Sequence, residues 1–156
     1  MSASKRVLHH NLNAFLDTIS FSEGTNIAGS DDGYNVIVGG KLFTGYASPQ
    51  YFLVDLPNLG IKSTAIGRYQ VLYRYATHYI KTLGLRDFSP LSQDKIALQL
   101  IRECRATQLI IDGDFAKAVA ACSSRWASFP GNTYGQRQEN IRALAQFFVA
   151  AGGVIK

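Results

Sequence analysis

The chain has 156 residues, 47% of them hydrophobic and 17% charged, and a net charge of +5. This composition excludes a disordered or low-complexity chain and leaves room for one domain with a real core, not for two comfortable ones. No apolar run is long enough to span a bilayer, so no membrane insertion is expected. The basic residues (Arg68, Arg74, Lys81, Arg86, Arg102, Arg105, Arg125, Arg137 and Arg142 among them) are scattered. They suit a polyanion in general, such as an acidic wall polymer, without a DNA-reading element, and solubility alone accounts for them equally well.

Residues 1–10 lack the continuous apolar stretch of a signal peptide, so the chain is expected to be made as a soluble cytosolic protein that leaves the cytosol only by another route. Leu12, Phe15, Leu16 and Ile19 then recur at helical spacing, which predicts a helix over residues 11–21 with Asn11 at its start and Gly24 just past its end. Glu23 falls at that end. The negative end of the helix dipole and flanking apolar residues such as Phe21 both disfavour its ionised form, and a carboxyl kept protonated near neutral pH can donate a proton to a leaving group. Taken alone, Glu23 reads more readily as a solvated glutamate near a helix end than as an acid.

A polar, Gly-rich loop over residues 25–32 follows. Tyr34-Asn35-Val36-Ile37-Val38 and Lys41-Leu42-Phe43-Thr44, joined by Gly39-Gly40, predict a β-hairpin. Residues 45–60, with Pro49 and Pro57, read as loop with room for a short helical turn. Leu72, Tyr75, Ala76, Tyr79 and Leu83 predict a helix of about fifteen residues that stops at Gly84, with Tyr75 and Tyr79 in the core. After Phe88-Ser89-Pro90, Ser92 is expected to cap a helix carrying Ile96, Ala97, Leu100, Ile101 and Cys104. Asp114 is expected to cap another, carrying Phe115, Val119, Cys122 and Trp126. A loop over residues 132–136 opens a last helix with Ile141, Leu144, Ala145, Phe148 and Val149. Cys104 and Cys122 read as buried free thiols. His9, His10 and His78 have no ligand spacing, so neither a metal nor a cofactor is expected. The expected fold is a single α+β domain over residues 1–156, with residues 1–12 an extension: a mostly helical lobe, a small hairpin-based sheet, and an active-site cleft between them.

In order along the chain stand Ser22-Glu23-Gly24-Thr25, Gly33-Tyr34-Asn35-Val36-Ile37-Val38-Gly39-Gly40, Ser63-Thr64-Ala65-Ile66-Gly67-Arg68-Tyr69-Gln70, Asp87-Phe88-Ser89-Pro90 and Trp126-Ala127-Ser128-Phe129-Pro130-Gly131. In these elements, from about Asn13 to Gly153, the chain resembles the phage lambda endolysin family of lytic transglycosylases. The resemblance implies a lysozyme-like fold. It implies cleavage of the β-1,4 bond between N-acetylmuramic acid and N-acetylglucosamine in peptidoglycan, leaving a 1,6-anhydro-muramic end. It also implies residence in the host cytoplasm until holin-dependent release to the periplasm. A member of the family carries an aspartate after the hairpin tyrosine; here that position is Asn35, which leaves Asp31 and Asp32 as the nearby carboxylates and favours a mechanism with one acid.

Glu23 is therefore the expected catalytic residue. Sugar-stacking faces are sought in Tyr34, Tyr69, Tyr134 and Trp126, with core packing favoured for Trp126. Hydrogen-bonding groups are sought in Ser63, Gln70, Gln136 and Arg125 and in the backbone of Val36, Ile37 and Val38, and Gly67 joins Tyr69 and Gln70 by analogy with a Gly-x-Tyr-Gln element of lysozyme-like folds. Glu103 and Glu139 lie among arginines and read as surface ion-pair partners. The expected partner is the peptidoglycan glycan strand, acted on by a monomer. A hydrolytic muramidase and a non-catalytic wall-binding module are the rival readings.

Overall fold

The computed structural model describes residues 8–131 and 139–156. In chain order these form α1 (His10–Glu23), β1 (Val54–Leu56), a 3-10 turn (Pro57–Leu59), β2 (Ile61–Ser63), β3 (Ala65–Ile66), β4 (Val71–Leu72), α2 (Tyr73–Thr82), α3 (Pro90–Glu103), α4 (Thr107–Ile111), α5 (Phe115–Cys122) and α6 (Ile141–Ala150). This is an α+β chain. Among the described residues it falls into two compact units, one running from Gly24 to Ile96, the other joining α1 to residues 97–156.

In the helical unit, α1 packs on α4 and α6. Leu12, Phe15, Leu16 and Ile19 are buried as their spacing requires, but so are Ala14, Thr18, Ser20 and Ser22. Burial on so much of its circumference also takes in Asn11, and this changes its role. It lies inside α1, nearly fully buried. Its amide donates to the carbonyls of Ile110 (2.9 Å) and Ile111 (3.2 Å), while its Oδ1 accepts from the Val154 amide at 2.8 Å. Asn11 therefore joins three chain segments instead of capping one. The core is aromatic: Phe15 meets Phe115 and Phe129 edge-on at 6.2 and 5.9 Å, and Phe115 lies 4.7 Å from Phe148. Trp126 is buried beside Phe129, as expected from its helical spacing. Truncating one such ring costs about 3–5 kcal/mol.

The other unit holds the sheets. The Gly39-Gly40 hairpin forms a tight turn, with the Gly40 amide donating to the Ile37 carbonyl at 2.9 Å, but its arms are joined by the single bridge Val36–Leu42. Regular pairing occurs later, in β1–β2 (Val54 opposite Ser63) and β3–β4 (Ala65 opposite Leu72), both antiparallel. Part of the expected loop at 45–60 is thus strand, and the helix expected to run about fifteen residues and to include Leu72 is the ten-residue α2, with Leu72 in β4 instead. Tyr79 is core, whereas Tyr75 is 40% exposed and stands under the Arg74 guanidinium at 4.8 Å. At the start of α3, Ser89 rather than Ser92 occupies the cap, with Pro90 in the first helical position, where its missing N–H costs nothing. Ser92 instead donates its hydroxyl to Asp87 at 2.7 Å. Asp114 precedes α5 without capping it through its side chain, and its carboxylate holds Lys156 at 3.2 Å. Asn140 caps α6 by accepting from the Arg142 amide at 2.7 Å.

Candidate active site

Glu23 is the last residue of α1 and is half-buried. The chain leaves the helix through Gly24 at φ 73°, a left-handed conformation that a glycine adopts without strain. The two residues before the glutamate are fixed from different sides. Phe21 stacks on Phe147 with ring centroids 4.4 Å apart and planes 14° from parallel. The Ser22 hydroxyl is hydrogen-bonded to that of Ser128 at 2.7 Å, in a buried position. The helix end is thereby held rigid, which is what a group that must meet one oxygen of a substrate requires.

Tyr34 and Tyr69, sought as stacking faces, are core residues instead, each 1% exposed. Both donate their hydroxyls to the same Asp94 oxygen, at 2.8 and 2.5 Å. The buried Arg68 guanidinium lies over both rings at 5.3 and 5.4 Å, and it also donates to the Tyr69 hydroxyl and to the Asp32 carbonyl. A buried arginine is tolerated only with such a set of partners. Gly67 and Gln70 also have structural work. Gly67 sits at φ 85°, and a Cβ there would lie 2.5 Å from the Gln93 side-chain oxygen. Gln70 donates its amide to the carbonyls of Gly67 (2.9 Å) and Val36 (3.2 Å). Within the Gly-x-Tyr-Gln element, Gly67 and Tyr69 are thus buried in this unit, and Gln70 is half-buried with its amide nitrogen engaged.

The backbone of Val36, Ile37 and Val38 is likewise engaged within the chain. Their amides donate to Gly33, Lys41 and Ala65 at 3.3, 2.7 and 3.1 Å, so none of the three N–H groups is left for an N-acetyl oxygen. Ser63 accepts from the Ala65 amide at 3.2 Å. Arg125 pairs with Glu103 at 3.0 Å across the helical unit, which supplies the ion pair expected of Glu103 and occupies the arginine. Tyr134 and Gln136 lie outside the described residues.

A different surface of the sheet-bearing unit carries an open concavity. A cavity of about 500 Å³ is lined by Ile37, Val38, Gly39, Lys41, Tyr51, Phe52, Leu53 and Val54. Tyr51 is 60% exposed, with its ring edge-on to Tyr73 at 5.2 Å, and Phe52 lies 6.4 Å from Phe43. Exposed aromatic faces, an apolar wall and one lysine suit a pyranose bearing acyl or carboxylate groups. The signal was present in the sequence as four consecutive apolar residues, 51–54, inside a segment otherwise read as loop.

The carboxylates flanking the hairpin are tied down. Asp31 accepts the Tyr46 hydroxyl at 2.6 Å, and burial, followed by that hydrogen bond and the charge of Asp31, pushes the phenol pKa well above its usual value. Asp32 faces Arg68 at 3.8 Å. The Asn35 side-chain oxygen accepts from the Asp31 amide at 2.7 Å, so Asn35 organises the loop before the hairpin.

The endolysin family model matches residues 13–155. The chain is 47% identical to the endolysin of Escherichia phage lambda over 92% of each chain, and 45% identical to that of Escherichia phage P2, covering 94% of this chain and 95% of that one. In structure it is similar to bacteriophage lambda lysozyme complexed with a chitohexasaccharide (TM-score 0.92, 45% identity, 97% of this chain and 99% of that one). A second lambda lysozyme structure gives a TM-score of 0.88 at 44% identity, with the same coverage. The chain belongs to the endolysin family. It has the lysozyme-like α+β fold, and it is a phage endolysin, a peptidoglycan-cleaving glycosidase that acts in lysis of the bacterial wall. No helix among the described residues is long and apolar enough to cross a membrane.

Proposed function

We propose that the chain is a lytic transglycosylase in which Glu23 serves first as acid and then as base. Glu23 protonates the glycosidic oxygen between N-acetylmuramic acid and N-acetylglucosamine. The bond breaks to an oxocarbenium-like centre assisted by the muramic N-acetyl oxygen. The ionised Glu23 then takes the proton from the muramic O6 hydroxyl as that oxygen attacks the anomeric carbon, closing a 1,6-anhydro ring. Atoms balance without water, and Glu23 ends as it began, protonated. The observation that supports this reading is the engagement of the polar groups before and within the hairpin: Asp31 holds Tyr46, Asp32 faces Arg68, and position 35 is an asparagine whose side-chain oxygen accepts from the Asp31 amide. A retaining hydrolase needs a second carboxylate about 5 Å from the first as nucleophile. The one-acid route needs none.

The glycan strand is the substrate, consistent with the chitohexasaccharide bound by lambda lysozyme. The cavity beside Tyr51 takes a saccharide unit, with Tyr51 as stacking face and Lys41 toward its acyl or carboxylate substituents. The two compact units act together as one catalytic domain and as a monomer, kept in the host cytoplasm until a holin lesion gives access to the periplasm. Mass spectrometry of digested peptidoglycan tests the chemistry, because each anhydro end is lighter by one water than a reducing end. Reducing ends alone would assign hydrolysis and overturn the transglycosylase reading.

A further inference from the structure

Two of the motifs that stand in order along the chain meet immediately before Glu23. Ser22 precedes the glutamate, and Ser128 lies in the Trp126-Ala127-Ser128-Phe129-Pro130-Gly131 segment; they are 106 residues apart, and their hydroxyls share the 2.7 Å hydrogen bond. Both are buried, at 1% and 6% exposure. The segment that carries Ser128 is itself anchored. Trp126 and Phe129 are buried, Phe129 meets Phe15 of α1 edge-on at 5.9 Å, and the Ser128 carbonyl accepts from the Glu139 amide at 2.8 Å. Just past Glu23 there is no such packing: apart from its chain neighbours, no described heavy atom stands within 4 Å of where a Cβ on Gly24 would be. We propose that Ser22 and Ser128 are positioning residues, a hydroxyl pair that fixes the end of α1 so that the Glu23 carboxyl meets the glycosidic oxygen. The proposal rests on the reading of Glu23 as the acid.

Stability alone does not account for the pair. Two buried hydroxyls that bond each other contribute little beyond two apolar groups of similar shape, which need no partner. What the pair adds is direction. A hydrogen bond holds only over a narrow range of distance and angle, whereas apolar contacts let a helix end slide or turn. Ser22 is the residue next to Glu23, so any turn of the helix end that stretches this bond also displaces the carboxyl. Proton transfer needs the acid within about 2.6–3.2 Å of its oxygen, and a misplacement of about 1 Å can lower a rate by about 10²-fold. The serine oxygens are buried and bonded to each other, so they act through Glu23. Their loss therefore falls on kcat, not on KM.

The test is a double-mutant cycle on the full-length protein: Ser22→Ala, Ser128→Ala and the two together, with Glu23→Gln alongside. Lysis rates over a range of peptidoglycan concentrations give kcat and KM, and circular dichroism gives Tm and the folded fraction. Each single variant is expected to lose roughly 10- to 100-fold in kcat, with KM within about twofold of wild type. The double variant is expected to lose no more than the worse single one, because all three break the same bond. It is also expected to be at least as stable as either single variant, since neither hydroxyl remains to be buried alone, and this keeps a folded member in the cycle. A purely structural role predicts the opposite split, in which Tm falls and the kcat of the folded fraction stays. That result overturns the proposal, as do kcat losses that multiply in the double variant, or a rise in KM at unchanged kcat. Full activity in folded Glu23→Gln removes the acid itself. An inactive Glu23→Gln beside serine variants of wild-type kcat removes only the positioning pair.

Discussion

Replacing Tyr34 with Phe separates a core tyrosine from a sugar-binding one. The ring is 1% exposed and its hydroxyl donates to the Asp94 carboxylate at 2.8 Å, so the substitution keeps the packing and deletes one hydrogen bond to a charged acceptor. Such bonds contribute about 1.5–3 kcal/mol, and the expected loss is about 2 kcal/mol. It is held to that figure because the same Asp94 oxygen keeps the Tyr69 hydroxyl at 2.5 Å. For a chain of this size the loss lowers Tm by roughly 4–8 °C. Urea unfolding followed by circular dichroism should show a lower midpoint at unchanged slope, since the surface exposed on unfolding is the same. Lysis of wall suspensions by the folded variant should stay within about twofold of wild type, a change no larger than about 0.4 kcal/mol. A stability change below about 0.5 kcal/mol, the scale of an ordinary surface substitution, would refute the buried network. A large rise in KM with stability intact would return Tyr34 to the substrate site.

Glu23→Gln should fold normally and lose lytic activity by about 10²–10⁴-fold, the usual range for a general acid–base group, and full activity in the folded variant would remove the assigned acid. Asn35→Asp keeps a side-chain oxygen for the Asp31 amide, so only a modest change in rate is expected; reducing muramic ends in its digest would show that a carboxylate there switches the outcome. For Asp87, hydrogen bonds from the Ser89 and Ser92 hydroxyls and the Ser89 amide hold its carboxyl below the usual value. The stabilisation it gives is present above the ordinary aspartate pKa of about 3.9 and is lost as pH falls through the lowered folded value. Asp87→Asn should thus lower Tm at pH 6 and converge with wild type under strong acid, and a gap independent of pH would exclude the ionised carboxylate as its source.

The apolar periodicity of α1, α3, α5 and α6 was legible because burial of one helical face is a local, repeating demand on the sequence. Glu23 was legible for a related reason: a helix stripe that ends at a glycine places the glutamate at the helix end without reference to anything distant. The binding residues were not. Tyr34, Tyr69 and Gln70 have the chemistry of sugar contacts, and nothing local distinguishes a tyrosine facing a ligand from one donating its hydroxyl to a buried aspartate sixty residues away. Arg68 read as one more scattered surface charge until its partners were assembled around it, and Tyr51 read as part of a loop until the cavity gave it a face. Asn11 failed as a cap because three chain segments converge on it.

By itself the sequence determined the buried stripes of α1, α3, α5 and α6, the hairpin turn at Gly39-Gly40, the family and the place of Glu23 at the end of α1, since each rests on neighbours along the chain or on motifs in fixed order. Tertiary structure alone decided which polar and aromatic groups are spent on folding: Tyr34, Tyr69 and Arg68 on the interior, Gln70 on the carbonyls of Gly67 and Val36, Asp31 on Tyr46, Asp32 on Arg68, Arg125 on Glu103. The reason is that a buried polar group must find its partner wherever the fold places one, and that pairing is a property of the assembled chain.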